Sequence, residues 1–202
     1  NSMLDKAIIA ELEALAGKTN VLTGTVDRLT YSYDATADVP RQMPDVVVLP
    51  TDTAMVQAIV RFARERRIPI YPRGAGTNLS GGTVPLKQGI VLSFQKMNAI
   101  LDIDPANLTA VVQPGVVIGA LNAAVAPHGL IYPPDPGTVA TATMGGSAAE
   151  NSGGLRGLKY GVTKDYLMGI EFFDATGEVV KSGSRTVKCV TGYNLAGMMV
   201  QS

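Results

Sequence analysis

A chain of 202 residues that is 46% hydrophobic and 17% charged can bury the core of one domain or two small lobes, which argues against intrinsic disorder. Its 17 Lys and Arg balance 17 Asp and Glu, so no net field recruits nucleic acid or an anionic membrane, and neither is expected as a partner. The single cysteine, Cys189, excludes an internal disulfide, and no stretch approaches the ~20 apolar residues that cross a bilayer, so a soluble cytoplasmic protein is expected.

Residues 3 to 16 place Leu4, Ile8, Leu12 and Leu15 at helical spacing before Gly17, which predicts an amphipathic helix. From Lys18 to Pro44 no period is sustained, and Tyr31, Tyr33, Asp34, Pro40 and Pro44 read as an extended connection without chemistry. The first 44 residues are therefore set apart from a main domain over 45–202. Val46 to Leu49 is a continuous apolar run and predicts a buried strand, and Pro50-Thr51-Asp52 can cap a helix running to about Arg67. Arg61, Arg64, Arg66 and Arg67 fall on the outer side of that helix, where a solvated face complementing the helix dipole explains them without nucleic acid. Ile68-Pro69-Ile70-Tyr71 predicts the next strand and completes a β-α-β unit.

At the end of that strand stands Tyr71-Pro72-Arg73-Gly74-Ala75-Gly76-Thr77-Asn78-Leu79-Ser80-Gly81-Gly82-Thr83. Glycines interleaved with Thr, Asn and Ser let successive N–H groups turn toward one anion, and the C-terminal edge of a parallel sheet is where such ligands bind. The loop lacks the third glycine of the dinucleotide fingerprint, and Gly82 stands where a triphosphate-binding loop carries its lysine. A bridging pyrophosphate beside Arg73 suits it better than a magnesium triphosphate; an ordinary glycine-rich turn is the alternative.

Beyond the loop, Ile90-Val91-Leu92 and Ile100 to Ile103 predict strands, and Asp104-Pro105-Ala106-Asn107 turns the second into Ala110 to Gln113 as a hairpin, so antiparallel structure is expected from Ile90 onward. Val116 to Val125 predicts a helix stopped by Pro127 and Gly129. His128, the only histidine, sits in that stop with no acidic or thiol neighbour, which disfavours histidine-based catalysis and metal binding. Residues 133 to 154 carry Met144 and Glu150 as their only long side chains, which suits either a flat ring lying against exposed backbone or the close packing of a short helix. Gly169 to Val180 alternates about Gly177 as another hairpin, and Thr186 to Ser202 stops without a closing element, as a piece of a longer protein would.

Taken together, Pro72 to Gly82, Pro133-Pro134-Asp135-Pro136, Met144-Gly145-Gly146 with Asn151-Ser152-Gly153-Gly154, Lys159-Tyr160-Gly161 and Gly192-Tyr193-Asn194-Leu195 closely resemble the flavin-binding domain of the vanillyl-alcohol oxidase and p-cresol methylhydroxylase superfamily. Within it, the nearest match is to FAD subunits of glycolate oxidases and to D-lactate and other D-2-hydroxyacid dehydrogenases. The resemblance implies an α+β fold of two lobes meeting near residues 84–110, one around a small parallel sheet and one around a mainly antiparallel sheet, with FAD between them. It assigns the pyrophosphate to Arg73, Gly74, Ala75, Gly76, Thr77 and Asn78 with Ser80, Gly81 and Gly82, and counts Pro72 among the cofactor-binding residues. Pro133, Asp135, Thr143, Gly145, Gly146, Ser152 and Gly153 would lie along the ribityl chain and isoalloxazine, and Gly161, Gly169 and Ile170 near the adenosine end or the adjoining backbone. Several covalent members carry a histidine at the position of Thr77, so a non-covalent FAD is implied here.

The family's further glycine segment and its cap domain, which supply substrate and catalytic residues, have no counterpart here. No residue of this chain is therefore expected to be catalytic, and the fragment alone is expected to be inactive. The function implied is oxidation of a D-2-hydroxy acid such as glycolate or D-lactate by hydride transfer to FAD, with an iron–sulfur subunit as a possible partner. A non-catalytic flavin-binding subunit of an electron-transfer complex is the alternative.

Overall fold

The computed structural model describes residues 4–183 with Met199 and Val200; Cys189 and the Gly192-Tyr193-Asn194-Leu195 motif lie outside the described residues. The chain forms two compact units, one of residues 1–97 with 173–178 and one of residues 98–172 with 179–202.

In the first unit, α1 spans Lys6–Ala16, capped by Asp5, whose side chain accepts from the Ile8 N–H at 2.9 Å, and ended by Gly17 at φ +82°. The stretch read as an irregular connection holds two short elements, β1 (Val21–Leu22) and α2 (Thr25–Leu29). Two and five residues are too few to show a period, and β1 exists because it pairs antiparallel with β2, Val46–Val48, in the register Val21 with Val48. Helix α3 covers Thr53–Arg66 and follows the predicted cap: Asp52 accepts from the Met55 N–H at 2.8 Å. At its other end Arg67 adopts a left-handed conformation, φ +53°, and the Ile68 N–H closes the turn onto the Ala63 carbonyl at 2.8 Å. Ile68 thus belongs to the helix stop, and β3 is displaced by two residues from the predicted strand, to Ile70–Arg73.

The larger departure concerns β4, Ile90–Ser93, which pairs parallel with both β2 and β3 and so lies between them, giving the order β1-β2-β4-β3. Antiparallel pairing therefore resumes only after this strand. All four β4 residues are buried, the pattern of a central strand covered on both faces. Alternate side chains of β2 and β4 part to opposite faces. Val46, Val48, Ile90 and Leu92 pack with Leu12 of α1 and Val56, Ile59 and Phe62 of α3, whereas Val47 and Val91 meet Leu22, Tyr31 and Tyr71. The turn 173–178 is held on α3: Gln57 Nε2 donates to the Gly177 carbonyl at 2.9 Å, and Arg61 pairs with Glu178 at 2.7 Å. Arg66 pairs with Glu11 of α1 and stacks over the Phe62 ring at 3.9 Å, so two of the outer arginines tie the helix to its neighbours.

The second unit begins with the predicted hairpin, β5 (Ile100–Asp104) and β6 (Thr109–Val112), antiparallel, with Asp104 Oδ1 accepting from the N–H groups of Ala106 and Asn107, both at 3.1 Å. Helix α4 (Ile118–Val125) contributes Ile118, Leu121 and Val125 to a core shared with Val116, Ala142, Met144 and the inner faces of β5 and β6. Exposed His128 ends the short 3-10 turn that follows, and Gly129 at φ +71° ends the helical run. Two further short helices, α5 (Met144–Glu150) and α6 (Gly157–Tyr160), precede the hairpin of β7 (Gly169–Phe173) and β8 (Val179–Gly183), whose turn places Gly177 at φ +82°. Among the described residues no helix is long and apolar enough to cross a membrane.

Candidate functional site

The glycine loop leaves the C-terminal end of β3, on the edge where open parallel sheets present ligand sites. Exposed Pro72 and buried Arg73 end the strand; Gly74 to Gly82 run half-buried or exposed across the edge, and buried Val84 anchors the exit. Arg73 is only 7% exposed, and its guanidinium is turned under the loop, where Nη1 donates to the Tyr33 carbonyl at 2.7 Å and to Thr83 Oγ1 at 3.3 Å. Its carbon Cζ sits 5.5 Å from the centre of the Tyr31 ring. Burial lowers the guanidinium from its ordinary value, opposed by the negative field of Asp34 and the two tyrosines. The arginine therefore supports the loop from below. Gly76 permits this: at φ +71°, a Cβ there would stand 2.2 Å from Arg73 Nη2.

The connection in which no chemistry was read supplies the rest of that support. Asp34, 8% exposed, accepts from the Thr36 N–H at 2.9 Å, from Asn78 Nδ2 at 2.8 Å and from Thr83 Oγ1 at 3.1 Å. Thr36 Oγ1 accepts from the Gly81 N–H at 2.8 Å. Burial by itself would raise the Asp34 carboxyl, but the hydrogen bonds from Thr36, Asn78 and Thr83 outweigh it and hold the group below its ordinary value. Sequence reasoning gave no role to Asp34 and Thr36, and it placed Thr83 at the end of the loop without this bond. The only local signal was Asp34-Ala35-Thr36, an aspartate bonding its own backbone two residues on, and nothing in it reveals a partner 44 residues away.

The second set of predicted residues falls in the other unit. Thr143 caps α5, its Oγ1 accepting from the Gly146 N–H at 3.3 Å. Gly145 lies against Pro114, where an added Cβ would come within 2.6 Å of the proline Cβ, and its N–H donates to the Pro114 carbonyl at 2.8 Å. Of the two roles open to this small-residue segment, close packing accounts for Gly145. Half-buried Pro133 and Asp135 precede the helix, and Asp135 pairs with Arg156 at 2.9 Å. Gly154 lies so close to the Asp135 backbone that a Cβ would meet its carbonyl oxygen at 1.7 Å.

Ser152, Gly153 and Gly161 gather around a fully buried Thr163, which sequence reasoning also missed. Thr163 Oγ1 donates to the Ser152 carbonyl at 2.7 Å; Gly153 faces Val162; and Gly161, at φ +82°, abuts the Asp165 carboxylate, which accepts from the Val162 N–H at 2.8 Å. Gly169 and Ile170 start β7, where Gly169 packs against Gly183. By contrast, Gly137 has open space where a side chain would stand, with Thr138, Ala140 and Thr141 exposed beside it. Among the described residues no three His, Cys, Asp or Glu side chains cluster as metal ligands would.

The glycine loop of the first unit is braced from below by Arg73 and Asp34, and in the second unit Gly137 and its exposed small neighbours leave the backbone open. The family model described as "FAD binding domain" matches residues 44–183. The chain is 47% identical over 200 residues to glycolate oxidase subunit GlcD of Bacillus subtilis, covering 99% of this chain and 42% of that protein. It is 38% identical over 195 residues to a D-lactate dehydrogenase of Anaerostipes hadrus, covering 96% of this chain and 41% of that one. Among solved structures, p-cresol methylhydroxylase with substrate bound matches at TM-score 0.84 and 27% identity, covering 97% of this chain and 40% of its own. The chain thus spans about two fifths of the length of these relatives. With its mixed sheet, its antiparallel hairpins and this match over most of its length, the chain belongs to the FAD-binding domain family of the vanillyl-alcohol oxidase and p-cresol methylhydroxylase superfamily.

Proposed function

We propose that this chain is the FAD-holding part of an oxidoreductase that oxidises a D-2-hydroxy acid such as glycolate or D-lactate. The observation that carries the cofactor part is the Gly74–Gly82 loop at the C-terminal edge of the parallel sheet, with Arg73 and Asp34 fixing it from beneath. The substrate class is supported by the similarity to the glycolate oxidase subunit and the D-lactate dehydrogenase. The relative's designation as a subunit supports a multi-protein assembly, in which we include an iron–sulfur partner.

In this proposal Gly74, Ala75, Gly76, Thr77 and Asn78 with Ser80, Gly81 and Gly82 hold the pyrophosphate through their backbone, while Pro72 and Arg73 set where the loop begins. Pro133, Asp135, Thr143, Gly145, Gly146, Ser152 and Gly153 border the ribityl chain and ring, and Gly161, Gly169 and Ile170 lie toward the adenosine end. Bound FAD supplies the acceptor for a hydride from the substrate's carbinol carbon. The residues of this chain bind and orient it, and the groups that hold the hydroxy acid lie elsewhere in the protein. Thr77 offers no nucleophilic ring nitrogen to the flavin, so the cofactor is held without a covalent bond.

The test uses full-length protein. It is expected to purify yellow, to bleach anaerobically with D-lactate or glycolate but not with L-lactate, and to release all its flavin on denaturation. Colourless protein that binds no added FAD would overturn the cofactor assignment. Yellow protein that no 2-hydroxy acid bleaches would overturn the substrate class, and pigment retained by the denatured chain would overturn non-covalent binding.

A further inference from the structure

We infer that Asp34 is a positioning residue for the glycine loop, holding Asn78 and Thr83 in the arrangement in which the loop backbone meets a diphosphate. This rests on the proposed role of that loop in holding the FAD pyrophosphate.

The argument starts from donors and acceptors. An ionised carboxylate only accepts, and three donors from two distant parts of the chain converge on this one: the Thr36 N–H, Asn78 Nδ2 and Thr83 Oγ1. The Thr36 hydroxyl extends the hold to Gly81, whose N–H it accepts at 2.8 Å, and the Tyr33 carbonyl takes the Arg73 guanidinium at 2.7 Å. Three residues within the four-residue segment 33–36, Tyr33, Asp34 and Thr36, thereby grip the loop at its entry, its middle and its exit. The charge matters as well as the shape, because Arg73 is buried on the same side and Thr83 Oγ1 bridges it to Asp34, accepting at 3.3 Å and donating at 3.1 Å. With the guanidinium engaged below, the loop's outward surface is left to its backbone, its small side chains and the exposed Leu79. An asparagine at position 34 keeps only one acceptor oxygen, so whichever way its amide is turned the N–H₂ meets a donor, either Asn78 Nδ2 or the Thr36 N–H, and a convergence of donors on an acceptor becomes a conflict.

The experiment compares the full-length protein with its Asp34→Asn and Thr83→Val variants, the second serving if the first does not fold. Each apoprotein is titrated with FAD and with ADP, which carries a diphosphate but no flavin, and amide hydrogen exchange is followed along the chain. Both ligands are expected to bind about ten- to a hundredfold more weakly to each variant, the size of losing hydrogen bonds to a charged group. Exchange is expected to quicken across residues 74–83 while α3 and β4 remain as protected as in the parent. Variants that bind FAD and ADP within twofold of the parent would overturn the inference, as would exchange rising equally in α3 and β4, which marks a general loss of stability. A parent protein that binds neither ligand would remove the phosphate role of the loop itself and this inference with it.

Discussion

The guanidinium of Arg73 occupies the space that a side chain on Gly76 would fill, with Nη2 only 2.2 Å from the ideal Cβ position. Arg73 cannot simply swing aside, since Nη1 is bonded to Tyr33 and Thr83 and the group is 7% exposed. Gly76→Ala therefore meets both a left-handed backbone, φ +71°, and a pinned neighbour. A loss of about 1–3 kcal/mol in unfolding free energy is expected from the strain alone, together with weaker FAD binding. Denaturant melts of the apoprotein and an FAD titration measure the two; a variant as stable and as tight as the parent would show that Arg73 relaxes freely.

Arg73→Lys keeps the charge and loses the fork. On its shorter stem an ammonium does not reach the point from which Nη1 donates to both Tyr33 and Thr83, and it lacks the planar face set against Tyr31. The expected cost is about 1–3 kcal/mol, the range for a buried partner left unmet. If Arg73 instead met the ligand only as a point charge, lysine would leave stability unchanged and the FAD affinity nearly so.

The second unit offers a titration. Burial raises the Tyr132 phenol above its ordinary value, with Tyr166 adding to the rise and the hydrogen bond to Thr163 opposing it. The folded state thus favours the neutral form. Its contribution to stability is complete below the unfolded value near 10 and is lost as pH climbs through the raised folded value. Phenolate absorbance should show a late-titrating tyrosine that disappears in Tyr132→Phe, while its persistence in that variant would assign it to another ring.

Two glycines of the small-residue segment should answer oppositely to the same substitution. Gly154→Ala drives a methyl into the Asp135 backbone at 1.7 Å and is expected to destabilise by about 2–4 kcal/mol, because backbone cannot yield as a side chain does. Gly137→Ala meets nothing within 4 Å and should change stability by less than about 0.5 kcal/mol. Because Gly137 belongs to the open small-residue stretch, weaker FAD binding in this variant with unchanged melting would show that the stretch faces the cofactor.

Features that neighbours along the chain decide are readable from the residues alone. The Asp52 cap of α3, the β5–β6 hairpin, the stop at Gly129 and the Gly177 turn were legible because each signal acts within about four residues of its source. The glycine loop at the end of a strand was legible for the same reason, and the ordered set of motifs identified the family where no single motif could. Tertiary structure alone decided that β4 inserts between β2 and β3, since an apolar run says that a strand is buried and not which strands it joins. It made β1 a strand at all, through pairing with β2. It turned Arg73 beneath the loop and brought Asp34 to Asn78 across 44 residues, because a buried charge takes its partners from whatever packing places within reach. It also separated glycines pressed against backbone, such as Gly154, from those that face open space, such as Gly137, a difference of surroundings that identical residues cannot announce.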